Sequence, residues 1–390
     1  MIIQSMLDND LYKFTMQQAV LHQYPEAEVE YAFKCRTEGI DWRPYEGDII
    51  KNINKMCRNI MITNDELDYL GKLRFIKKDY LRFLKLFRFN YDYVNVTTDN
   101  DGTLRIQIKG PWLHTILFEV PVLAIVSEVY STDMSNDFDE GNRRLNDKVS
   151  LLQGSGIKFA DFGTRRRHSF DWHSSVIARL KFACPHHFVG TSNVFLSKRH
   201  GTKAIGTMAH EWLQAHQALY RVADSQSMAL DSWAKEYRGD LGIALSDVIG
   251  LPYFLADFDM FFAKLFDGTR QDSGDPYHYA EEIINHYKNM GVDPKTKTIV
   301  FSDGLDFATA IDLQKRYSDK IGVSFGIGTY LVNDFNYKAP QIVLKMTKCN
   351  GQPVAKLSDT PNKGMCTDES YLSYLKKVYD ERLSKYLKGV

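Results

Sequence analysis

Hydrophobic and polar positions along the chain change their texture near residue 150. The first third is rich in aromatic residues and in Lys and Arg. It has a helical stretch over 64–87 and strand candidates at 29–35 and 104–109, the latter entered through the turn Asn100-Asp101-Gly102. Beyond residue 150, short apolar runs recur at 157–162, 188–191, 242–247, 264–272, 298–303 and 322–328, each ending in small or polar residues. Helix-length segments lie between several of them, at 203–221, 277–290 and 306–316. This alternation predicts a parallel sheet with helical crossovers, and about six units in so short a span predict a barrel, complete or incomplete. In such barrels the chemistry gathers at the C-terminal strand ends. The segments to inspect are therefore DFGTRR, GTS, SD, RQDSGDP, SDG and GIGT.

Composition narrows the class. At 390 residues, with 44% hydrophobic and 25% charged positions, the chain can bury a large core, which excludes a disordered or collagen-like protein. Its length fits two domains or one large α/β barrel with additions. Lys and Arg total 49, as do Asp and Glu, so the net charge is zero and the global basic field of most nucleic-acid binders is absent. The five cysteines form no CxxC pair, which argues against a disulfide framework and fits a reducing cytoplasm. The N-terminus carries Asp8 and Asp10 and no long apolar run. The most apolar window, 111–130, is interrupted by His114, Glu119, Pro121 and Glu128. No nucleic-acid and no membrane partner is expected.

Each strand-end motif has a plain reading beside a functional one. Arg165, Arg166 and Arg167 offer planar forks for phosphate or carboxylate, yet an arginine triplet is also what a solvated basic loop looks like. The preceding Asp-Phe-Gly lacks the glycine-rich loop, lysine and catalytic loop of a kinase. Gly190-Thr191-Ser192-Asn193 reads as a polar strand end or a simple turn. Met208, Ala209, Trp212, Leu213, His216, Leu219 and Tyr220 make an apolar helical stripe, so His216 reads as a core residue. His210 lies off the stripe. With Thr207 as N-cap it would sit in the first helical turn, where anions are favoured, but on the residues alone a surface histidine is the better reading. The segment 270–276 brings Arg270, Asp272, Ser273 and Asp275 together ahead of Pro276. Helix capping explains Ser273, Asp275 and Pro276 but not Arg270 and Asp272. Asp303 and the Gly326-Ile327-Gly328-Thr329 turn end the last two runs, where a barrel commonly binds phosphate. Cys184-Pro185-His186-His187 lacks a second ligand set for zinc, and no Walker A, GxSxG or HExxH pattern occurs.

Taken together these segments resemble the nicotinate phosphoribosyltransferases of compact bacterial and yeast form. The resemblance runs through YKFTMQQAV at 12–20, FADFGTRRRHS at 159–169, GTSNV at 190–194, GTMAHEW at 206–212, RQDSGDP at 270–276, FSDGLD at 301–306 and FGIGTYLVND at 325–334. It implies an α/β fold in which an irregular, incomplete α/β barrel (121–339) joins an α/β domain built from both chain ends (1–120, with 340–390 returning to it). It implies a homodimer with shared active sites. It implies that nicotinate and 5-phosphoribosyl-1-pyrophosphate give nicotinate mononucleotide and pyrophosphate, coupled to ATP hydrolysis through a phosphohistidine at His210, with Mg²⁺ as a cofactor.

By the same resemblance, Phe162 and a Tyr12 from the other subunit sandwich the pyridine ring, and Arg165 meets its carboxylate. Thr191 and Ser192 belong to the same substrate site. Asp272 and Asp303 hold ribose hydroxyls or a Mg²⁺-bound substrate, with Asp275 a further candidate near the metal. Arg270 sits near the substrates' charged groups, and Gly326, Gly328 and Thr329 cradle the 5′-phosphate. The related nicotinamide enzyme carries aspartate where this chain has Ser192, so a nicotinate preference is implied. Rival readings are an enzyme acting on quinolinate or nicotinamide, and a non-catalytic nucleotide-binding relative.

Overall fold

The computed structural model describes residues 1–134, 137–360 and 364–388. Among them, twelve strands form two sheets. In chain order the strands are β1 (Glu28–Cys35), β2 (Val94–Thr98), β3 (Leu104–Pro111), β4 (Phe159–Asp161), β5 (Phe188–Thr191), β6 (Lys203–Ala204), β7 (Ile243–Leu245), β8 (Gly268–Gln271), β9 (Thr298–Phe301), β10 (Gly322–Ile327), β11 (Ile342–Cys349) and β12 (Gln352–Pro353).

The first sheet is antiparallel, in the order β12-β11-β1-β3-β2. Its strands alternate buried and open positions, so that Val29, Tyr31 and Phe33 face the core from β1, and Leu104, Ile106 and Ile108 from β3. Both chain ends contribute, because β11 pairs with β1 across more than 300 residues of sequence. The second sheet is parallel, in the order β6-β5-β4-β10-β9-β8-β7. Its edges, β6 and β7, do not pair, which leaves a half-barrel. Six strands match the runs read from sequence. The seventh, β6, is two residues long and leaves no hydrophobic signature.

The 64–87 stretch is two helices, Asn64–Leu70 and Lys78–Leu86, instead of one. The Thr63/Glu66 capping box starts the first. The break is stabilised from outside: the Gln18 amide donates to the Phe75 carbonyl at 2.9 Å and accepts from the Lys77 N–H at 2.7 Å, bonds that a continuous helix would make internally.

The apolar segment Trp112–Met134 is long and apolar enough to cross a membrane by composition alone, but most of it is buried inside the protein, where it links the two sheets. Aromatic rings join this segment to the rest. Trp112 lies 5.9 Å from Trp212, and Trp212 lies 5.5 Å from Trp233, ring centre to ring centre. His216 is wholly buried among them, with Nδ1 2.7 Å from the Trp212 carbonyl, in keeping with a core histidine.

The chain end divides between the two sheets. Residues 342–353 complete the antiparallel sheet, whereas the helix Glu369–Leu387 packs on the barrel-side helix Leu251–Asp257, with Tyr253 and Tyr379 5.9 Å apart and Arg382 paired to Asp257. Of the segment 340–390, the strands thus lie in the antiparallel sheet with β1 and β3, and the helix lies against the barrel-side helix. Residues 361–363 and 389–390 of that segment, and 135–136 of the barrel segment, lie outside the described residues.

Gly268 shows how closely the half-barrel strands approach. A Cβ there would overlap the Thr298 carbonyl of β9. Gly268→Ala should destabilise the protein by about 3 kcal/mol, the scale of an overpacked core, and lower the denaturant midpoint accordingly. Unchanged unfolding would contradict this packing.

Candidate active site

The C-terminal ends of β4, β8, β9 and β10 open into a cleft of about 420 Å³, closed on the other side by β11. Phe162, Arg165, His210, Arg270, Asp272, Asp303, Gly326, Gly328 and Thr329 all line it. The strand-end rule thus brings together most of the residues singled out from sequence.

The turn after β4 is built around Asp161. Its Oδ1 accepts the Gly163 N–H at 2.9 Å, while Oδ2 meets the Thr191 hydroxyl at 2.6 Å and His173 Nε2 at 2.7 Å. This holds the short turn Thr164–Arg166. The Phe162 ring fits against β10 because Gly326 has no side chain, and any Cβ would run into the ring. Gly326 therefore serves first to seat Phe162. The three arginines are not a solvated loop. Arg165 faces the cleft. Arg166 donates to the Gln341 side chain and the Ile342 carbonyl, and Arg167 is fully buried against Asp8. Burial first, and then Arg165 and Arg36, push the Arg166 pKa down to about 10.

Thr191 and Ser192 do not line the cleft. The Thr191 hydroxyl is used by Asp161, and the Ser192 hydroxyl donates to Asp10 at 2.7 Å. Tyr12 also departs from expectation. Leu11 N–H donates to the Ser192 carbonyl at 2.8 Å and Val194 N–H to the Asn9 carbonyl at 3.0 Å. These bonds pin the N-terminal segment to its own chain, so the Tyr12 ring lies 5.9 Å from the guanidinium of the same chain's Arg165. The Tyr12 hydroxyl is buried with no hydrogen-bond partner among the described residues.

His210 opens the helix His210–Leu219 as its first residue. The N-cap is Ala209 and not Thr207, whose hydroxyl donates instead to the Ile243 carbonyl at 3.2 Å. His210 Nε2 lies 2.9 Å from Asp247, 3.3 Å from Asp272 and 2.7 Å from the Lys356 ammonium. Lys356 also bonds Asp247 at 2.5 Å. Burial, reinforced by Lys356, lowers the His210 pKa to about 4, so the ring is neutral near pH 7. For Asp247, burial opposes the charge, but Lys356 and His210 outweigh it and hold the carboxyl well below its ordinary value. Asp272 accepts from Ser302 at 2.8 Å and pairs with Arg270 at 3.2 Å. Asp275 does not line the cleft: it is the N-cap of the helix Pro276–Asn289 and accepts the His278 N–H.

Several site residues were not singled out from sequence. Asp247 was in view only as the end of the 242–247 run. Glu119 was noted only as a break in an apolar window. Arg36, Lys345 and Lys356, which line the β11 wall, lie in segments that carry no strand-end motif. Burial together with Lys356 and Arg36 brings the Lys345 pKa down to about 7. This wall is poised to gain from a bound polyanion.

Residues 7–127 match the N-terminal domain model of the nicotinate phosphoribosyltransferase family, and residues 157–383 match the main family model. A nicotinate phosphoribosyltransferase of Burkholderia mallei is 53% identical over 388 residues, spanning 97% of each chain. One of Xanthomonas campestris pv. campestris is 53% identical over 385 residues, 97% of this chain and 96% of the relative. The crystal structure of a nicotinate phosphoribosyltransferase from Vibrio cholerae superposes with a TM-score of 0.93 at 36% identity, covering 100% of this chain and 97% of the other. One from Porphyromonas gingivalis gives 0.92 at 34%, covering 97% and 100%. With both family models matched in order and relatives alike end to end, the chain belongs to the nicotinate phosphoribosyltransferase family.

Proposed function

We infer that this protein joins nicotinate to 5-phosphoribosyl-1-pyrophosphate, giving nicotinate mononucleotide and pyrophosphate and feeding NAD salvage. The observation that carries the reading is one cleft with an aromatic ring and a guanidinium, Phe162 and Arg165, at one end and the carboxylates of Asp272 and Asp303 on neighbouring strand ends. The ring nitrogen of the base forms a bond to the anomeric carbon as the bond to pyrophosphate breaks. Positive charge builds on the ribosyl group and negative charge on the leaving group, so the protein acts mainly by positioning and by charge.

In this proposal Phe162 stacks on the base, with Tyr12 beside it, and Arg165 pairs with its carboxylate. Asp272 and Asp303 accept ribose hydroxyls. Backbone groups at Gly328 and Thr329 hold the 5′-phosphate. Arg270, Arg36, Arg166 and Lys345 offset the phosphate charges. Thr191 and Ser192 act from behind, through Asp161 and Asp10. A Mg²⁺ ion suits the hard oxygen donors here: Asp272 and Asp303 are the candidates, since Asp275 is occupied as a helix cap, and the ion supplies neutralisation of the phosphates.

We also propose ATP as a co-substrate that phosphorylates His210. Nε2 is enclosed by Asp247, Asp272 and Lys356. When Nε2–H donates to Asp247, the Nδ1 lone pair is the nucleophile, a P–N bond forms at Nδ1, and ADP leaves. Asp247 then stabilises the charge gained by the ring. A homodimer acting in the cytoplasm completes the proposal, with each Tyr12 serving its own chain's site. So does a division into a 1–120 unit, joined by the strands of the returning chain end, and a barrel over 121–339.

Product analysis with nicotinate, nicotinamide and quinolinate, each with and without ATP, tests the reading. Nicotinate mononucleotide should form, and comparable turnover of either other base would refute the assignment. Arg165→Gln should weaken nicotinate binding by about 1.5–3 kcal/mol, the value of a hydrogen bond to a charged group.

His210→Asn should abolish labelling by γ-³²P-ATP and ATP-stimulated synthesis, while His216→Asn should mainly lower stability. The wild-type label should be Nδ1-phosphohistidine, and labelling should persist as pH falls toward 5, since the native ring takes its proton only near 4. An Nε2 adduct would overturn the geometry. Because the unfolded ring protonates near pH 6.5, both buried histidines cost stability as pH falls from there toward 4.

Mixing Tyr12→Ala chains with Asp272→Ala chains should restore no activity even when subunits exchange. Recovery would mean that Tyr12 works across the dimer.

A further inference from the structure

A buried lysine joins the two ends of the cleft. Lys13, on the helix Leu11–Gln23, has no solvent exposure. Its ammonium lies 2.5 Å from Glu119 Oε2 and 2.9 Å from Glu211 Oε2. Glu211 directly follows His210 on the same helix. Glu119 uses its other oxygen, Oε1, to contact Arg165 at 3.3 Å. Arg165, the group that meets the base carboxylate, is therefore already held by a protein carboxylate, which must release it when nicotinate arrives.

We propose that Lys13 is a positioning residue for the base site: by sharing its charge between Glu119 and Glu211 it keeps Glu119 satisfied when Arg165 turns away, and so sets the affinity for a base carboxylate. The inference rests on Arg165 being the carboxylate-binding group.

The energetics favour this role. A carboxylate as buried as Glu119 cannot stay ionised without a compensating cation. Burial works against the charge of Glu119, but Lys13 and then Arg165 outweigh it and hold its carboxyl below the ordinary value. Without Lys13, Arg165 becomes its main cation, and nicotinate must displace Glu119 from it. Glu211 does not compete equally. Burial brings its pKa up to about 7, so it gives up its charge more readily than Glu119 when the lysine is lost. Lys13 also touches both the residue beside His210 and the residue holding Arg165, which provides a physical link between the phosphorylated end and the base end of the cleft.

The test is nicotinate binding and kinetics for Lys13→Met, Lys13→Met/Glu119→Gln and Arg165→Gln, with pyridine as a neutral competitor that makes no carboxylate contact. Lys13→Met should raise the nicotinate KM about 10-fold or more, leave the KM for 5-phosphoribosyl-1-pyrophosphate within about 3-fold, and leave pyridine inhibition unchanged. Adding Glu119→Gln should return the nicotinate KM to within about 3-fold of wild type, because the competing charge is gone. If Lys13→Met fails to fold, the double variant, which buries no unpaired charge from this pair, is compared with Glu119→Gln alone. Equal nicotinate affinity in those two supports the proposal, and a further loss on removing Lys13 overturns it. Parallel losses of nicotinate and pyridine binding would show a merely structural lysine and overturn it as well. Normal nicotinate binding by Arg165→Gln would instead overturn the underlying assignment of Arg165, whereas loss there with no change in Lys13→Met would overturn the role of Lys13 alone.

Discussion

Arg167 and Asp8 are both completely buried, and two hydrogen bonds of 2.6 and 3.0 Å join them. Removing two ions from water costs several kcal/mol each, so such a pair persists only when every side of it is closed. Here the Asn193 amide reaches Asp8 at 2.8 Å, Glu128 lies 3.5 Å from Arg167, and the Ile2 carbonyl accepts from Arg167 at 3.2 Å. The site depends on this closure in two ways. With Arg167 turned inward, the tight turn before it sends Arg165 into the cleft and Arg166 onto β11. With Asp8 drawn to the end of β5, the N-terminal segment is laid along residues 192–195, which brings Asp10, Tyr12 and Lys13 to the neighbourhood of Arg165 and Glu119.

The cleft also holds opposed charges in close balance. Asp247, Asp272, Glu119 and Glu211 line up with Lys356, Arg270, Lys13 and Arg165. On the β11 side the balance tips, and burial, reinforced by neighbouring cations, lowers the pKa values of Arg166 and Lys345. A site arranged like this is strained by its own positive charge and relieved by phosphates. That is the electrostatic form expected for a protein whose substrates are polyanions and whose transition state separates charge.

Much of this was legible without coordinates, and the boundary of what was legible has a physical cause. Short apolar runs ending in small or polar residues located six parallel strands. Because barrel chemistry sits at strand ends, they also located Phe162, Arg165, Arg270, Asp272, Asp303 and the late glycine turn. His216 was read correctly as core from its stripe. The split of 64–87 was hidden because the side chain that stabilises the break, Gln18, lies far away in sequence. Thr191 and Ser192 looked exposed at a strand end, yet tertiary partners take their hydroxyls.

The sequence by itself determined the alternating architecture, the strand-end motifs and the family to which they point, because periodicity and local motif order are properties of neighbouring residues. Only the tertiary structure decided which residues share a charge. Lys356 reaches His210 and Asp247, Lys13 joins Glu119 to Glu211, and Tyr12 settles against its own chain's Arg165. Each of these contacts spans roughly a hundred residues or more. A buried charge is held by whatever cation folding brings within hydrogen-bond reach, and no local pattern encodes that distance.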